Sequence, residues 1–374
     1  MVSVEAVKER IKIGDFKGAL ERARSIVDPL QRILALSLVI TEFPREEVLS
    51  EMLESLEEVS GTYEKAIAYS FVGRAFYLLN REEGGSFYFE KAVFFAKSLS
   101  SPMLRGEALA GIARNLVLAD RYSDAYILFA EAVDEIQRSR GLSSRALETL
   151  RRVARIIEKS ADEIPNEKAL TFYKLARDIY DSLFFKLQAK HLAEKIALIE
   201  SVLKHGRPVV AELIEKGDIE RAIEVMRFLP LEERAVEMLH LSYWLFLHER
   251  PYLARKVFNE ALDLILIGKF RPMDGEIFSI AMRLLKIGHL EEPLILAGVV
   301  KDVGLTSELL GEIALAYARR GDSAKARSIA EGIKDESVKR RVLKAVEGDE
   351  DVGHEQGLPL TRGGEGDRAL SEDD

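Results

Sequence analysis

Apolar residues recur along this chain at helical rather than strand spacing, and they do so in blocks that repeat. The segments "IKIGDFKGALERARSI" (Ile11 to Ile26) and "YARRGDSAKARSIAEGI" (Tyr317 to Ile333) share a Gly-Asp corner followed by a small residue and an apolar ladder. With the corner residue as anchor, equivalent positions fall at Gly14, Asn80, Asp120, Gly217, Glu249, Gly288 and Gly321. Five residues later stand Ala19, Gly85, Ala125, Ala222, Ala254, Pro293 and Ala326. Nine later come Ala23, Phe89, Phe129, Met226, Phe258, Ala297 and Ala330, and twelve later Ile26, Ala92, Ala132, Leu229, Ala261, Val300 and Ile333. Offsets of this kind line one face of a helix that follows the corner. Reading backwards by 11, 8, 7 and 4 gives Leu109, Ile112, Ala113 and Leu116, then Met238, Leu241, Ser242 and Leu245. The same offsets give Ile277, Ile280, Ala281 and Leu284, and finally Leu310, Ile313, Ala314 and Tyr317. That is a second amphipathic helix before each corner, with a small residue where the two helices cross. Each block is a helical hairpin.

Neighbouring anchors lie 40, 32, 39 and 33 residues apart (80 to 120, then 217 to 249, 288 and 321). "NEKALTFYKLARDIY" supplies Ala169, Tyr173 and Ala176 at the same relative offsets, and "FPREEVLSEMLESLEEV" writes a ninth hairpin weakly in the gap between Gly14 and Asn80. The expected fold is therefore all-α, an α-solenoid of about eight or nine stacked antiparallel hairpins. One hairpin cannot bury its apolar face alone, so neighbours stack and share a core. An unusually long helical run, "DSLFFKLQAKHLAEKIALIESVL", ends at "KHGRPVV" (Lys204 to Val210), where a hinge or register break is expected. It divides the array into 1–205 and 206–347. Ser101-Pro102 and Pro272 mark helix starts. Residues 348–374 are rich in Gly and acids with little to bury, and are expected to be a disordered acidic tail.

The run small-Gly-Asp-aromatic-x-x-Ala-x-x-x-Phe-x-x-Ala, best written in "ADRYSDAYILFAEAV" and "LARKVFNEALDL", resembles the tetratricopeptide repeat. The resemblance covers about residues 5–346 by the same repeat reasoning. The family's first-helix Trp is missing, since Trp244 lies elsewhere, and second helices stop early at Asp28-Pro29 and Phe228-Leu229-Pro230. The resemblance implies a right-handed superhelix whose first helices line a concave face, with positions 13, 10, 6, 3 and 2 before each anchor pointing into the groove. Those positions hold Glu107, Ala110, Arg114, Val117 and Leu118 in one unit. In the next two they hold Val236, Leu239, Tyr243, Phe246 and Leu247, then Gly275, Phe278, Met282, Leu285 and Lys286; in the last, Glu308, Gly311, Leu315, Ala318 and Arg319. Tyr243, Phe246, Phe278 and Met282 are expected to form an apolar partner-binding strip, with Arg114 orienting acidic groups at its periphery. Family members that clamp carboxylates use an Asn six positions before the anchor, with Lys and Arg nearby; Arg114, Ala211, Tyr243, Met282 and Leu315 stand there, so a chaperone-tail clamp is not expected.

Charge changes the picture in one respect. The net charge of −9 is concentrated at the end: from Glu347 onward ten acids face two bases, leaving 52 bases against 53 acids before it. A nearly neutral body gives no electrostatic case for nucleic acid. No window reaches the roughly 18 apolar residues of a membrane span, and "MVSVEAVKERIKIGD" has no apolar signal core, so the chain reads as cytoplasmic. The scarcity of Gln and Asn beside many Glu, Lys and Arg is a thermophile bias.

Candidate chemistry is thin. Cysteine is absent, which removes disulfides, thiolate metal sites and cysteine nucleophiles. No Gly-Lys-Ser/Thr or Gly-x-Gly-x-x-Gly phosphate loop occurs, and "EEGGS" reads as an interhelical turn. His240 and His248 are eight apart, too far for a His-Glu-x-x-His zinc pair. Neither a cofactor, a metal nor an enzyme activity is expected. The aromatic clusters around Phe87–Phe95 and Phe172–Phe185 place Phe89 and Tyr173 in the core, with the other rings covering hairpin crossings. The expected function is a non-catalytic scaffold or adaptor that holds a peptide or helix of a cytoplasmic protein partner in the groove. The alternative is a ligand-sensing regulatory array that changes curvature.

Overall fold

The computed structural model describes residues 3–138, 143–268 and 273–354; Pro272 and residues 355–374, most of the expected tail, lie outside them. All twenty elements among the described residues are α-helices. The chain divides into two compact units, Met1–Lys204 and His205–Asp374.

In the first unit the hairpins are α1 (Val4–Lys12) with α2 (Phe16–Arg24), α3 (Pro29–Glu42) with α4 (Glu46–Glu57), α5 (Thr62–Leu78) with α6 (Glu82–Lys97), α7 (Pro102–Val117) with α8 (Tyr122–Gln137), and α9 (Ser144–Glu163) with α10 (Ala169–Ser182). The weakly written ninth hairpin is thus real, as α3–α4. A further helix, α11 (Lys186–His205), closes this stack. Lys195 Nζ reaches Asp162 of α9 at 2.9 Å, and Glu200 accepts Lys174 Nζ of α10 at 2.8 Å. In the second unit the hairpins are α12 (Arg207–Glu215) with α13 (Ile219–Met226), α14 (Leu231–Leu247) with α15 (Pro251–Ile267), α16 (Asp274–Lys286) with α17 (Glu291–Ala297), and α18 (Val303–Arg319) with α19 (Ser323–Glu331). The closing helix α20 (Glu336–His354) packs on α18 and α19 and continues past 348. Within each unit every first helix lies against its own second helix and against the first helix of the next hairpin, which is the stacking of an α-solenoid.

The corners explain the repeat. All seven anchors adopt positive φ, from +56° at Glu249 to +89° at Gly288. Each ends its first helix in the left-handed cap in which the next N–H bonds back to the carbonyl five residues before it. Those bonds run from 2.9 Å (Arg81 N to Phe76 O) to 3.1 Å (Asp322 N to Tyr317 O). Glycine at Gly14 and Gly321 adopts this φ without a Cβ clash, and the Asp that follows caps the next helix. Asp15 accepts from Gly18 N, and Asp322 from Lys325 N. Gly-Asp is therefore a stop signal joined to a start signal.

The ladder is buried as expected. Every residue at offsets 5, 9 and 12 is buried, and so is every residue of the backward ladder except half-buried Leu310. At one crossing the contact is direct: buried Ser242 Oγ donates to the carbonyl of Ala254 at 2.9 Å. Gly106 of α7 shows how close these approaches are, since a Cβ there would stand 2.7 Å from the Ala132 carbonyl oxygen.

Two expectations need correction. The long run through Phe184 is not one helix: α10 ends at Ser182, Phe184 takes φ +60°, and Phe185 N bonds back to Tyr180 O at 2.9 Å. This is the same corner built on a residue with no preference for it. Nor do all the clustered aromatic rings cover crossings, because Phe87, Phe94 and Phe184 are exposed, whereas Phe172 and Tyr180 are buried. The expected break at Lys204–Val210 contains Gly206 at φ +68°, immediately before α12.

Candidate functional site

The first helices carry the positions expected to face a partner, and each unit has its own set. In the second unit Tyr243 lies on α14, and Phe278 and Met282 on α16, all three partly exposed. Tyr243 is brought against α16 by Arg283, whose guanidinium stands 5.9 Å from the ring centroid. Phe246 does not join them in the open. It is 7% exposed, and its ring centroid is 4.1 Å from that of His289. The corner of the next hairpin folds over the last turn of α14, so Phe246 seals the seam between hairpins. Leu247, next to it, is half exposed.

Beneath this surface lies a charged network that repeat reasoning on apolar positions overlooked. Arg207, the first residue of α12, donates through Nε to Glu237 of α14 at 2.7 Å and through Nη1 to Glu276 of α16 at 2.8 Å. Glu237 is fully buried, and its second oxygen is 3.5 Å from His240 Nδ1. The Arg207 hydrogen bond, with its charge, holds the Glu276 carboxyl below the usual carboxylate range. Glu276 in turn is the main cause of a raised Arg207 pKa. The network ties three successive first helices together. A signal was present, because Glu237 and Glu276 both stand twelve residues before their anchors.

In the first unit Arg114 lies half-buried on α7. Its neighbour Glu107, another expected groove position, is ion-paired with Arg152 of α9. Arg74 of α5 occupies the same place as Arg114, six residues before its anchor. It is 8% exposed, and its Nη2 donates to Thr41 Oγ1 of α3 at 2.8 Å.

The clefts lie elsewhere. One of about 430 Å³ opens between α6 and α8, lined by Tyr77, Ser86, Phe89, Arg121, Asp124 and Ile127 among others. Its polar groups are already paired with one another: Tyr77 with Ser86 at 2.8 Å, Arg121 with Tyr77 at 3.0 Å and with Asp124 at 2.7 Å. A second, of about 160 Å³, is lined by Met226, Met238, Leu253 and Glu260. None of the five expected partner-binding residues lines either cleft. Among the described residues no group of three or more His, Asp or Glu side chains is placed to hold a metal ion, and no helix is long and apolar enough to cross a membrane.

No protein-family model matches the chain, and no curated protein matches it. Among solved structures, Ton1535 from Thermococcus onnurineus NA1 is similar over 92% of this chain and 99% of its own, at 23% identity and a TM-score of 0.53. That likeness concerns the fold alone. A circular tandem repeat protein with novel repeat topology and enhanced subunit contact surfaces aligns over 94% of this chain and 89% of its own, at 14% identity. Its TM-score of 0.20 gives it no weight.

Proposed function

We propose that this chain is a non-catalytic interaction protein, tetratricopeptide-like in its repeat. It holds an apolar or amphipathic peptide or helix of a cytoplasmic protein partner against its first helices. The observation that carries the reading is the partial exposure of Tyr243, Phe278 and Met282. They stand on successive first helices at positions the hairpin ladder does not use, because Leu241, Leu245, Ile277, Ile280 and Leu284 fill those. Aromatic and Met side chains at such a surface are the residue types that anchor a helix or extended peptide. The ligand-sensing alternative has the α6–α8 cleft in its favour, but the paired polar groups there leave little for a ligand to recognise.

The test is the double variant Tyr243→Ala with Phe278→Ala. Neither residue belongs to the ladder, so the helical circular dichroism should be unchanged. Partner affinity should fall by roughly 2–4 kcal/mol, as for hot-spot residues. Tyr252→Ala, at an 86% exposed site on a second helix, should leave binding intact. Equal partner capture by the folded double variant and by Tyr252→Ala would remove the reading.

A further inference from the structure

The second helices α6 and α8 of the first unit flank the open cleft of about 430 Å³. Phe89, Glu90 and Val93 of α6 form one wall, and Ile127 and Leu128 of α8 form the other. Arg121 donates to Tyr77 at 3.0 Å near the start of the two helices, and the Lys97–Glu131 ion pair bridges them at 2.7 Å further along. The polar groups of the cleft are thus satisfied within the chain, but its apolar groups are not. Ile127 is 62% exposed in the cleft wall. On the outer side of α6, Phe87 and Phe94 stand two turns apart and are 51% and 65% exposed. Large apolar side chains gathered at one place on a surface mark an interaction face. Here the face holds both a knob, the Phe94 ring, and a hole, the cleft next to it. Between the two rings lie Glu90 and Lys91, both exposed and of opposite sign. Neither has an ion-pair partner among the described residues; the Lys91 ammonium stands 5.6 Å from the Phe87 ring centroid.

We propose that this face docks a second copy of the chain, in a two-fold dimer built on α6 and α8. A two-fold interface uses the same patch on both molecules, so the patch must be complementary to itself. This one is: Phe94 of each copy enters the cleft of the other, and Lys91 of each copy meets Glu90 of the other. Charge narrows the occupant to such a copy. The face offers one free carboxylate and one free ammonium, so a strongly acidic or strongly basic partner would set like charges together across the contact. The area agrees. Each helix has 16 residues. At 1.5 Å per residue and about 10 Å between axes, the pair presents about 24 by 20 Å. That is about 500 Å² per copy and about 1,000 Å² in all, the lower bound for a specific interface, so the dimer is a reversible one. The first helices take no part in it, and the inference is independent of the interaction reading above.

The experiment is sedimentation velocity of the full-length protein over a concentration series. A monomer–dimer equilibrium in the micromolar range is expected. Phe94→Arg should raise the dimer dissociation constant roughly tenfold or more with circular dichroism unchanged, because the ring is exposed and its loss is felt only across the interface. Ile127→Arg, on the opposite wall of the cleft, should do the same. Phe184→Arg, the same kind of change at an 81% exposed ring of the same unit, should leave the constant where it was. Charge reversal tests the symmetry. Lys91→Glu alone, or Glu90→Lys alone, places like charges face to face twice in each dimer and should weaken it. The double variant Glu90→Lys with Lys91→Glu restores both pairs and should recover the dimer. A monomer at every concentration overturns the proposal and leaves the face to a different protein. So does a dimer indifferent to both Phe94→Arg and Ile127→Arg, or a double reversal no better than the single ones.

Discussion

Gly106→Ala and Gly275→Ala are the same substitution inside two helices of one stack, and they should act with opposite sign. In a helix interior Ala is favoured over Gly by about 1 kcal/mol. At Gly275 nothing lies within 4 Å of the added Cβ, so the gain stands, up to about 1 kcal/mol, somewhat reduced because the site is in the first turn of α16. At Gly106 the new Cβ would meet Ile136 Cγ1 at 2.5 Å and the Ala132 carbonyl oxygen at 2.7 Å. Ile136 is fully buried and the carbonyl is backbone, so neither can swing away, and α7 must part from α8 by several tenths of an ångström. Overpacking of that kind costs roughly 1–3 kcal/mol, and the rigid contact puts it towards the upper end. Set against the propensity gain, the net loss is about 1–2 kcal/mol. Urea unfolding followed by circular dichroism should show a lower midpoint for Gly106→Ala. Trp244, the single Trp, is stacked on His248 in the second unit, so its fluorescence reports that unit and should show a higher midpoint for Gly275→Ala. A Gly106→Ala midpoint at or above that of the unaltered protein would refute the close crossing of α7 and α8.

Two further outcomes follow from the corners and the charged network. Phe184→Gly should stabilise the first unit by about 0.5–1 kcal/mol: a non-Gly residue at this φ costs about 1–2 kcal/mol, Gly gives back about 0.4–1 through the unfolded chain, and the ring is 81% exposed. Phe184→Ala keeps the strain and should show no such gain in urea unfolding; equal midpoints for the two variants would contradict the assignment. Glu276 has a folded-state pKa below its unfolded value of 4.5, so its contribution is present above that pH and is lost as pH falls through the depressed value. Trp244-monitored unfolding from pH 7 to pH 3 should therefore lose less stability in Glu276→Gln than in the unaltered protein, and identical pH profiles would remove Arg207–Glu276 as a stabilising link.

The hairpins were legible because their cause is local and repeated. A corner residue, a small residue five positions on and an apolar ladder all belong to one sequence window, and Ala125, Ala254 and Ala326 lie buried where that window put them. The α3–α4 hairpin was faint because no left-handed residue joins its helices: Phe43 and Pro44 make the connection instead. The Phe184 corner was hidden for the reverse reason, since the backbone adopts the left-handed turn on a side chain that gives no sign of it. Of the candidate strip, Tyr243, Phe278 and Met282 were placed on first helices by counting alone. The burial of Phe246 depends on the next hairpin's corner, a contact between repeats that no single window contains. The residues of the Arg207 network, Arg207 with Glu237 and Glu276, also belong to different repeats. They show in the sequence only when each repeat is read against the others at one offset.

The central claim is that the first helices of the second unit meet a partner. Photo-crosslinking in the source cells tests it directly, with p-benzoyl-phenylalanine in place of Phe278 and, as control, in place of exposed Tyr252 on the second helix α15. Crosslinking from position 278 to one discrete segment of one protein, absent from position 252 and suppressed by Tyr243→Ala, is the predicted result. Adducts of equal yield and identity from both positions, or none from 278, would contradict it.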